Sequence, residues 1–330
     1  MLMMNNPTKP AREMPAAAEP ALPRFEKQKR FTIGLRCGRL ANRLILFANF
    51  VALAEEQGHR LSNFTFHSYS ELFEGTRENI YCRYPRPERR SWMDVVPGVA
   101  VALRKTRILY HVTRYTSQLN ERFPIFGSAA VTLHELPGHH ITLLDGPEYQ
   151  EKIKPARIVF VYGWWLRTPR LVKKHGDKLR AYFRPVEKLE KASRNAIEPL
   201  RREADIVIGV HIRHGDYRGW QGGKYFFPAS RYAAWMHELA AQFPKRKIAF
   251  FVCSDEPRRA DEFPGLTVGF GTDSPVGDVY ALARCDYILG PKSTFSQWAS
   301  FYGEKPLLQV CGTDDAAKLE NFRISYLDWD

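Results

Sequence analysis

His211, Arg213, His214 and Asp216 stand within six residues of one another, directly after an apolar run from Ile206 to Val210. That order describes a buried strand whose carboxyl end opens into a site, and ligands of open α/β sheets bind outside that edge. The guanidinium of Arg213 suits a phosphate, onto which it can fork two N–H donors. Two further strand ends carry polar groups. One is Ser254-Asp255-Glu256-Pro257; the other is Gly290-Pro291-Lys292-Ser293-Thr294-Phe295-Ser296. In a parallel sheet all three would share one rim. The last puts hydroxyls where a helix begins, and the free N–H groups and dipole of a helix N-terminus attract an anion. Lys292 adds a charge there. Ser293 or Thr294 equally suits an ordinary helix N-cap, and Asp255 a turn or cap. Asp278 stands before Val279-Tyr280-Ala281-Leu282-Ala283. It reads as an N-cap, or as a carboxylate accepting from the N1 and N2 edge of guanine, where both groups are donors.

The elements that must position these groups follow from periodicity. A strand over Phe31–Leu35, a turn from Gly38 and a helix through Leu44, Phe47, Ala48, Val51 and Ala52 lead to Gly58, a helix-ending residue. Leu61 to Phe66 reads as a second strand. Pro85, Pro87, Pro97, Pro124, Pro137 and Pro147 break up any long helix across residues 68–155, where strand-like runs stand at Val99–Leu103 and Ile141–Leu144. Arg157–Tyr162 is a strand, and Leu166–Phe183 reads as a basic helix. Strands are expected at Ile206–Ile212, Ile248–Val252, Leu266–Phe270, Tyr287–Gly290 and Pro306–Val310. Helices are expected at Pro228–Phe243, Glu256–Phe263, Gly277–Arg284 and Thr294–Tyr302. This alternation implies a parallel, doubly wound sheet.

With 330 residues the chain exceeds one core's worth. The division expected is a disordered tail over 1–30, an α/β domain over 31–165 and a Rossmann-like domain over 166–330. The tail is rich in Pro, Ala and charge and lacks the apolar core of a signal peptide. No apolar stretch reaches the length of a membrane-spanning helix. Five scattered cysteines form no Cys-x-x-Cys pair, so a zinc site is not expected and a reducing, cytoplasmic setting is. Asp273, Asp278 and Asp286 form no compact Asp-x-Asp pair for a nucleotide-bound divalent ion. No metal or cofactor is therefore expected. The net charge of +13 calls for an anionic partner. It is concentrated at Arg83, Arg86, Arg89, Arg90, Arg104, Lys105 and Arg107, and again at Lys173, Lys174, Lys178, Arg180 and Arg184. Peripheral contact with an anionic membrane surface would use such patches. A nucleic-acid partner is not expected, because no nucleic-acid motif accompanies the charge.

Four blocks, in order, resemble the superfamily of GDP-fucose-dependent fucosyltransferases. The nearest branch is the bacterial α1,2-fucosyltransferases of glycosyltransferase family 11, with the rhizobial α1,6 enzymes as cousins. Gly38-Arg39-Leu40-Ala41-Asn42-Arg43-Leu44 is similar to the Gly-x-Leu-Gly-Asn-Gln-Leu signature. Tyr162-Gly163-Trp164-Trp165 with Arg180–Pro185 is similar to the central block. His211-Ile212-Arg213-His214-Gly215-Asp216-Tyr217 resembles His-x-Arg-Arg-x-Asp-Tyr, with His214 in place of the second Arg. Asp278 with Ser293-Thr294-Phe295-Ser296-Gln297-Trp298 resembles the third motif.

The resemblance implies a GT-B arrangement: two Rossmann-like domains facing across a cleft, with a carbohydrate acceptor on the N-terminal side and GDP-fucose on the C-terminal side. It implies inverting transfer, with charge building on the leaving β-phosphate where fixed donors stabilise it. Arg213 would grip that phosphate. Ser293, Thr294 and Ser296 would hold the diphosphate, with Phe295 among the donor-binding residues. Asp278 would read guanine, His211 would lie on the base or ribose, and Asn42 and Gly38 would lie opposite, near the reacting sugar. Asp216 and Asp255 are the candidates for general base, and Asp216 could instead orient Arg213. Two alternatives stay open: a GT-B transferase for another nucleotide sugar, and an inactive glycan-binding relative.

Overall fold

A computed structural model describes residues 28–89, 92–96, 98–134, 141–272 and 274–328. Residues 1–27 of the tail expected over 1–30 lie outside the described residues, as do Arg90, Pro97, Pro137 and Asp273. In chain order the first half comprises β1 (Arg30–Ile33), α1 (Leu40–Gln57), β2 (Arg60–Asn63), α2 (Trp92–Val95), α3 (Val99–Thr106), α4 (Ile108–Arg122), β3 (Ala130–Leu133), β4 (Thr142–Leu143), α5 (Pro147–Ile153) and β5 (Ile158–Val161). Next come β6 (Leu166–Arg167), α6 (Pro169–Lys174), α7 (Gly176–Tyr182) and α8 (Glu187–Glu203). The second half comprises β7 (Ile206–Ile212), α9 (Ala229–Ala241), β8 (Ile248–Ser254), β9 (Thr267–Phe270), α10 (Pro275–Leu282), β10 (Tyr287–Pro291), α11 (Thr294–Gly303) and β11 (Leu307–Val310).

Two parallel sheets organise the chain. The first has the order β2-β1-β5-β3 and the second β11-β10-β7-β8-β9; β4 and β6 form a separate pair. This is the α/β, GT-B-like arrangement of two Rossmann-like sheets facing across a cleft. In the second sheet the chain runs outward from β7 through β8 to β9, then returns to β10 on the other side of β7. The switch point therefore lies between β7 and β10, where a crevice opens outside the strand ends. In the first sheet the corresponding point lies between β1 and β5.

Burial explains why α1 is the central helix. Fifteen of its eighteen residues are buried, named from Leu40 to Gln57, so it is packed on all sides rather than along one stripe. It packs against α6, α7 and, from the second half, α11. Aromatic edges tie this layer together: Phe47 meets Phe183 at 5.3 Å, and Phe183 meets Trp298 at 5.3 Å. Such contacts contribute about 0.5–1.5 kcal/mol each beyond area burial. On the other side, β7 needs its glycine. A Cβ at Gly209 would lie 2.6 Å from Leu282 Cδ2 and 3.1 Å from Cys285 Sγ, so α10 could not approach the strand.

Several expectations are corrected. Val99–Leu103 is helical, within α3; Ala, Leu, Arg and Lys there favour the helix more than its valines favour a strand. The fifteen-residue α4 fits in the proline-free interval between Pro97 and Pro124. Leu166–Phe183 is a strand and two helices, because Pro169 keeps Thr168 out of the helical region, at φ −149° and ψ 69°. Glu256–Phe263 contains only a 3₁₀ turn at Ala260–Glu262, as Pro257 disfavours helix at Glu256. The seventeen-residue α8 has no counterpart in the sequence reading, since Pro199 within it breaks the helical signal. Order also starts before Arg30. Lys29 is buried, and its ammonium donates to the carbonyls of Ile153, Lys154 and Ala156 at 2.7–2.9 Å, closing the C-terminus of α5. All five cysteines are free thiols. Among the described residues, no helix is long and apolar enough to cross a membrane.

Candidate functional site

The two switch points face one another across a cleft of about 1740 Å³. Gly38, Arg39, Asn42, Trp164 and Trp165 line it from the first half. His211, Arg213, Asp216, Asp255, Asp278, Lys292, Ser293, Thr294 and Phe295 line it from the second. Both sets stand at the carboxyl ends of strands, which is why residues so far apart in sequence meet.

Arg213 follows β7 and is held by two carboxylates. Its Nε donates to Asp216 Oδ1 at 2.8 Å, its Nη2 lies 2.7 Å from the same oxygen, and its Nε lies 3.3 Å from Asp255 Oδ2. The other Asp255 oxygen accepts from the His214 N–H at 2.9 Å. Asp255 thus braces both the guanidinium and the loop that carries it. Gly215 makes room: a Cβ there would come within 2.6 Å of Asp255 Oδ2. Tyr217 closes the loop by donating to the Lys292 carbonyl at 2.7 Å, and burial pushes its phenol up to about 12. Beside it, Glu256 accepts from Arg218 and Arg258, and Arg218 above all holds its carboxyl below the usual range.

His211 sits deeper. It packs against Phe295 at 4.8 Å, and its Nδ1 lies 2.9 Å from Ser296 Oγ. Burial, reinforced by Arg213, lowers its pKa to about 3. It is therefore a neutral ring in the wall of the cleft, able to make one directed hydrogen bond but not to act as a cation. Ser296 requires a correction. It is fully buried behind the wall with its hydroxyl at His211, so it does not face a diphosphate. His214 is likewise buried, its Nε2 2.7 Å from the Phe227 carbonyl.

At α11 the cap is Ser293, whose hydroxyl accepts from the Phe295 N–H at 3.2 Å. Thr294 instead donates to Asn42 Oδ1 at 2.6 Å, across the cleft. Asp278 is not an N-cap. Ser274 caps α10, and Asp278 stands one turn in, where its Oδ1 accepts from the hydroxyl of Thr272 at 2.9 Å and from the Thr272 N–H. Its carboxylate anchors the loop from β9 while also lining the cleft.

The opposite wall is a tight turn. Gly38 has φ +42°, and a Cβ there would lie 1.9 Å from Asn42 Nδ2. Arg43, buried, fastens this turn by donating to the carbonyls of Cys37, Gly38 and Thr65 at 3.0–3.3 Å and to Ser68 Oγ at 3.2 Å. The sequence reading had no role for Arg43; a buried arginine one turn into an apolar helix was the available signal. Trp164 and Trp165 add aromatic surface to this wall, with Arg167 stacked 4.3 Å from the Trp164 ring. Arg258 and Trp220 also line the cleft and were missed, although Arg258 directly follows the Ser254–Pro257 strand end and Trp220, in a 3₁₀ turn, stands shortly after the block ending at Tyr217.

No family model matches the chain. It is 30% identical to nodulation protein Z of Azorhizobium caulinodans, over 31% of this chain and 40% of that protein, so the chain spans well under half the length of this curated relative. In structure it is similar to Arabidopsis thaliana FUT1 in complex with GDP, at a TM-score of 0.52 and 12% identity, over 90% of this chain and 74% of that one. The chain shares the fold of that protein. Fucosyltransferase NodZ from Bradyrhizobium aligns over 90% of this chain and 97% of its own, with a TM-score of 0.49 and 15% identity. On this fold the cleft between the two sheets holds the cationic, helix-capped corner around Arg213 and α11.

Proposed function

We propose that this chain is an inverting glycosyltransferase that moves L-fucose from GDP-fucose to a hydroxyl of a glycan acceptor. The observation that carries the reading is the convergence of Arg213, Lys292 and the start of α11 at the switch point of the second sheet, directly opposite the Gly38–Asn42 turn. A diphosphate fits that corner. Arg213 supplies a planar, pre-aimed cation, and the first N–H groups of α11 supply oriented dipoles. Charge that grows on the leaving phosphate is stabilised there without reorganisation. Asp278 and His211 face the nucleoside, the first as a carboxylate acceptor for a guanine edge and the second as a neutral ring.

Inversion requires attack from the face of the sugar opposite the leaving phosphate. Carboxylates that hold the phosphate-gripping arginine stand on the departing side. We therefore assign Asp216 and Asp255 to positioning Arg213, and the acceptor to the tryptophan-lined wall, where aromatic faces suit the C–H surfaces of sugar rings. The setting proposed is cytoplasmic, with peripheral contact to an anionic membrane face, supported by the charge of +13.

Thermal unfolding with GDP, GDP-fucose, UDP and ADP tests the donor. A ligand at about 100 times its Kd adds about 2.7 kcal/mol of stability, a rise of roughly a few degrees. Stabilisation by the two guanine ligands alone, followed by release of GDP from GDP-fucose with glycan acceptors, supports the reading. Equal shifts with all four, or none, would overturn the guanine assignment.

A further inference from the structure

The helix α4 is inside out. Its buried positions are Thr113, Ser117 and Asn120, all polar. Ile108, Val112 and Tyr115, spaced four and three apart on one face, are 49%, 56% and 67% exposed. Surface helices ordinarily turn their apolar stripe to the core. The neighbouring segments behave alike: Trp92 on α2 is 66% exposed, and Phe123 and Ile125 beyond α4 are more than half exposed. Of the thirteen exposed large hydrophobic residues among those described, ten fall between Trp92 and Phe126. Scattered apolar surface residues need no explanation, but a contiguous concentration marks an interaction face.

Charge identifies the partner. Residues 83–126 contain nine Lys and Arg against three Asp and Glu, and Arg107, Arg114 and Arg122 are exposed on or next to α4 itself. A second copy docked about a two-fold axis would set this basic face against itself, at a repulsive cost. An anionic bilayer satisfies both halves of the pattern. Aromatic and aliphatic side chains enter the headgroup boundary, while the arginines meet lipid phosphates. We infer that α2, α3, α4 and the segment up to Phe126 form a docking face for an anionic membrane. The face adjoins the first sheet: α4 packs on β3, and Ser117 Oγ lies 2.9 Å from Tyr162 Oη, just past the end of β5. Docking there presents the acceptor side of the cleft to lipid-borne substrates. The inference rests on the peripheral setting proposed above and not on the sugar transferred.

Co-sedimentation of the full chain with vesicles of phosphatidylcholine, alone or mixed with phosphatidylglycerol, decides it. The GDP-induced thermal shift serves as the control for folding of each variant. The expected result is binding only to the anionic vesicles, weakened by salt. The pair Val112→Glu with Tyr115→Glu and the pair Arg107→Glu with Arg122→Glu should each reduce partition by about tenfold or more. Equal binding to both vesicle types, no binding, or undiminished binding of the variants overturns the inference. So does a dimer in sedimentation velocity that Val112→Glu dissociates, since a second copy would then occupy the face. A chain that binds vesicles but ignores GDP would sink the donor assignment and leave this inference standing; the converse holds as well.

Discussion

The hydroxyl of Thr294 donates to the side-chain oxygen of Asn42 at 2.6 Å, joining residues 252 positions apart across the mouth of the cleft. Asn42 lies in the first turn of α1 and Thr294 begins α11, so the bond fixes how the two switch points face each other. A neutral hydrogen bond of this kind contributes about 1 kcal/mol net. Asn42→Ala, Thr294→Val and the double variant should therefore show a coupling energy of about 0.5–1.5 kcal/mol in urea denaturation. Additive losses would mean that the bond does not couple the two walls.

Arg213 and its two carboxylates give a graded prediction. Arg213→Ala should lower kcat for transfer by about 10²–10³ if the guanidinium stabilises charge on the leaving phosphate. Asp255→Asn should cost less, about tenfold, because it loosens the guanidinium and the His214 N–H without removing the charge. A loss with Asp255→Asn as large as with Arg213→Ala, together with a lost acidic limb in the pH–rate profile, would instead make Asp255 the general base.

Much of this was legible in the sequence, and the reasons differ by region. The second sheet announces itself because its central strands are buried on both faces and read as apolar runs such as Ile206–Val210 and Ile248–Val252. The polar residues that end those strands therefore stood out, and Arg213, Asp278 and Ser293 fall on the cleft wall. Ser296 does not, since a serine three residues past a cap carries no mark of which way its hydroxyl turns. The α2–α4 region misled because its exposed face is apolar, which breaks the link between hydrophobicity and burial on which periodicity depends. The pair Asn42–Thr294 was beyond reach, because each residue was visible and nothing in one chain reports their contact.

Close helix packing supplies a stability prediction. Gly303 ends α11 against α10, and a Cβ there would lie 2.0 Å from the Ala283 carbonyl oxygen and 2.8 Å from its carbon. Those are backbone atoms, so neither can move aside cheaply. Gly303→Ala should destabilise by about 1–3 kcal/mol, despite the better intrinsic helix propensity of alanine. Guanidinium denaturation measures it, and a neutral or stabilising result would mean that the two helices are not held at this spacing.

Two buried histidines set the behaviour in acid. His59 packs on Phe31 at 5.5 Å, and burial, with Lys29 nearby, lowers its pKa to about 4; His211 is lowered to about 3. In the unfolded chain both return to about 6.5. Between these values the unfolded state binds protons that the folded state excludes, so stability is complete above about pH 6.5 and falls as the pH drops. At about pH 5 each histidine should have withdrawn about 1–2 kcal/mol. Urea midpoints measured from about pH 7.5 down to about pH 5 should therefore decline steadily. His59→Gln should flatten the slope by roughly half, because it removes one of the two rings that burial holds neutral. A flat profile in the parent chain would show that neither ring is held neutral by burial. An unchanged slope in His59→Gln would assign the whole effect to the cleft wall at His211.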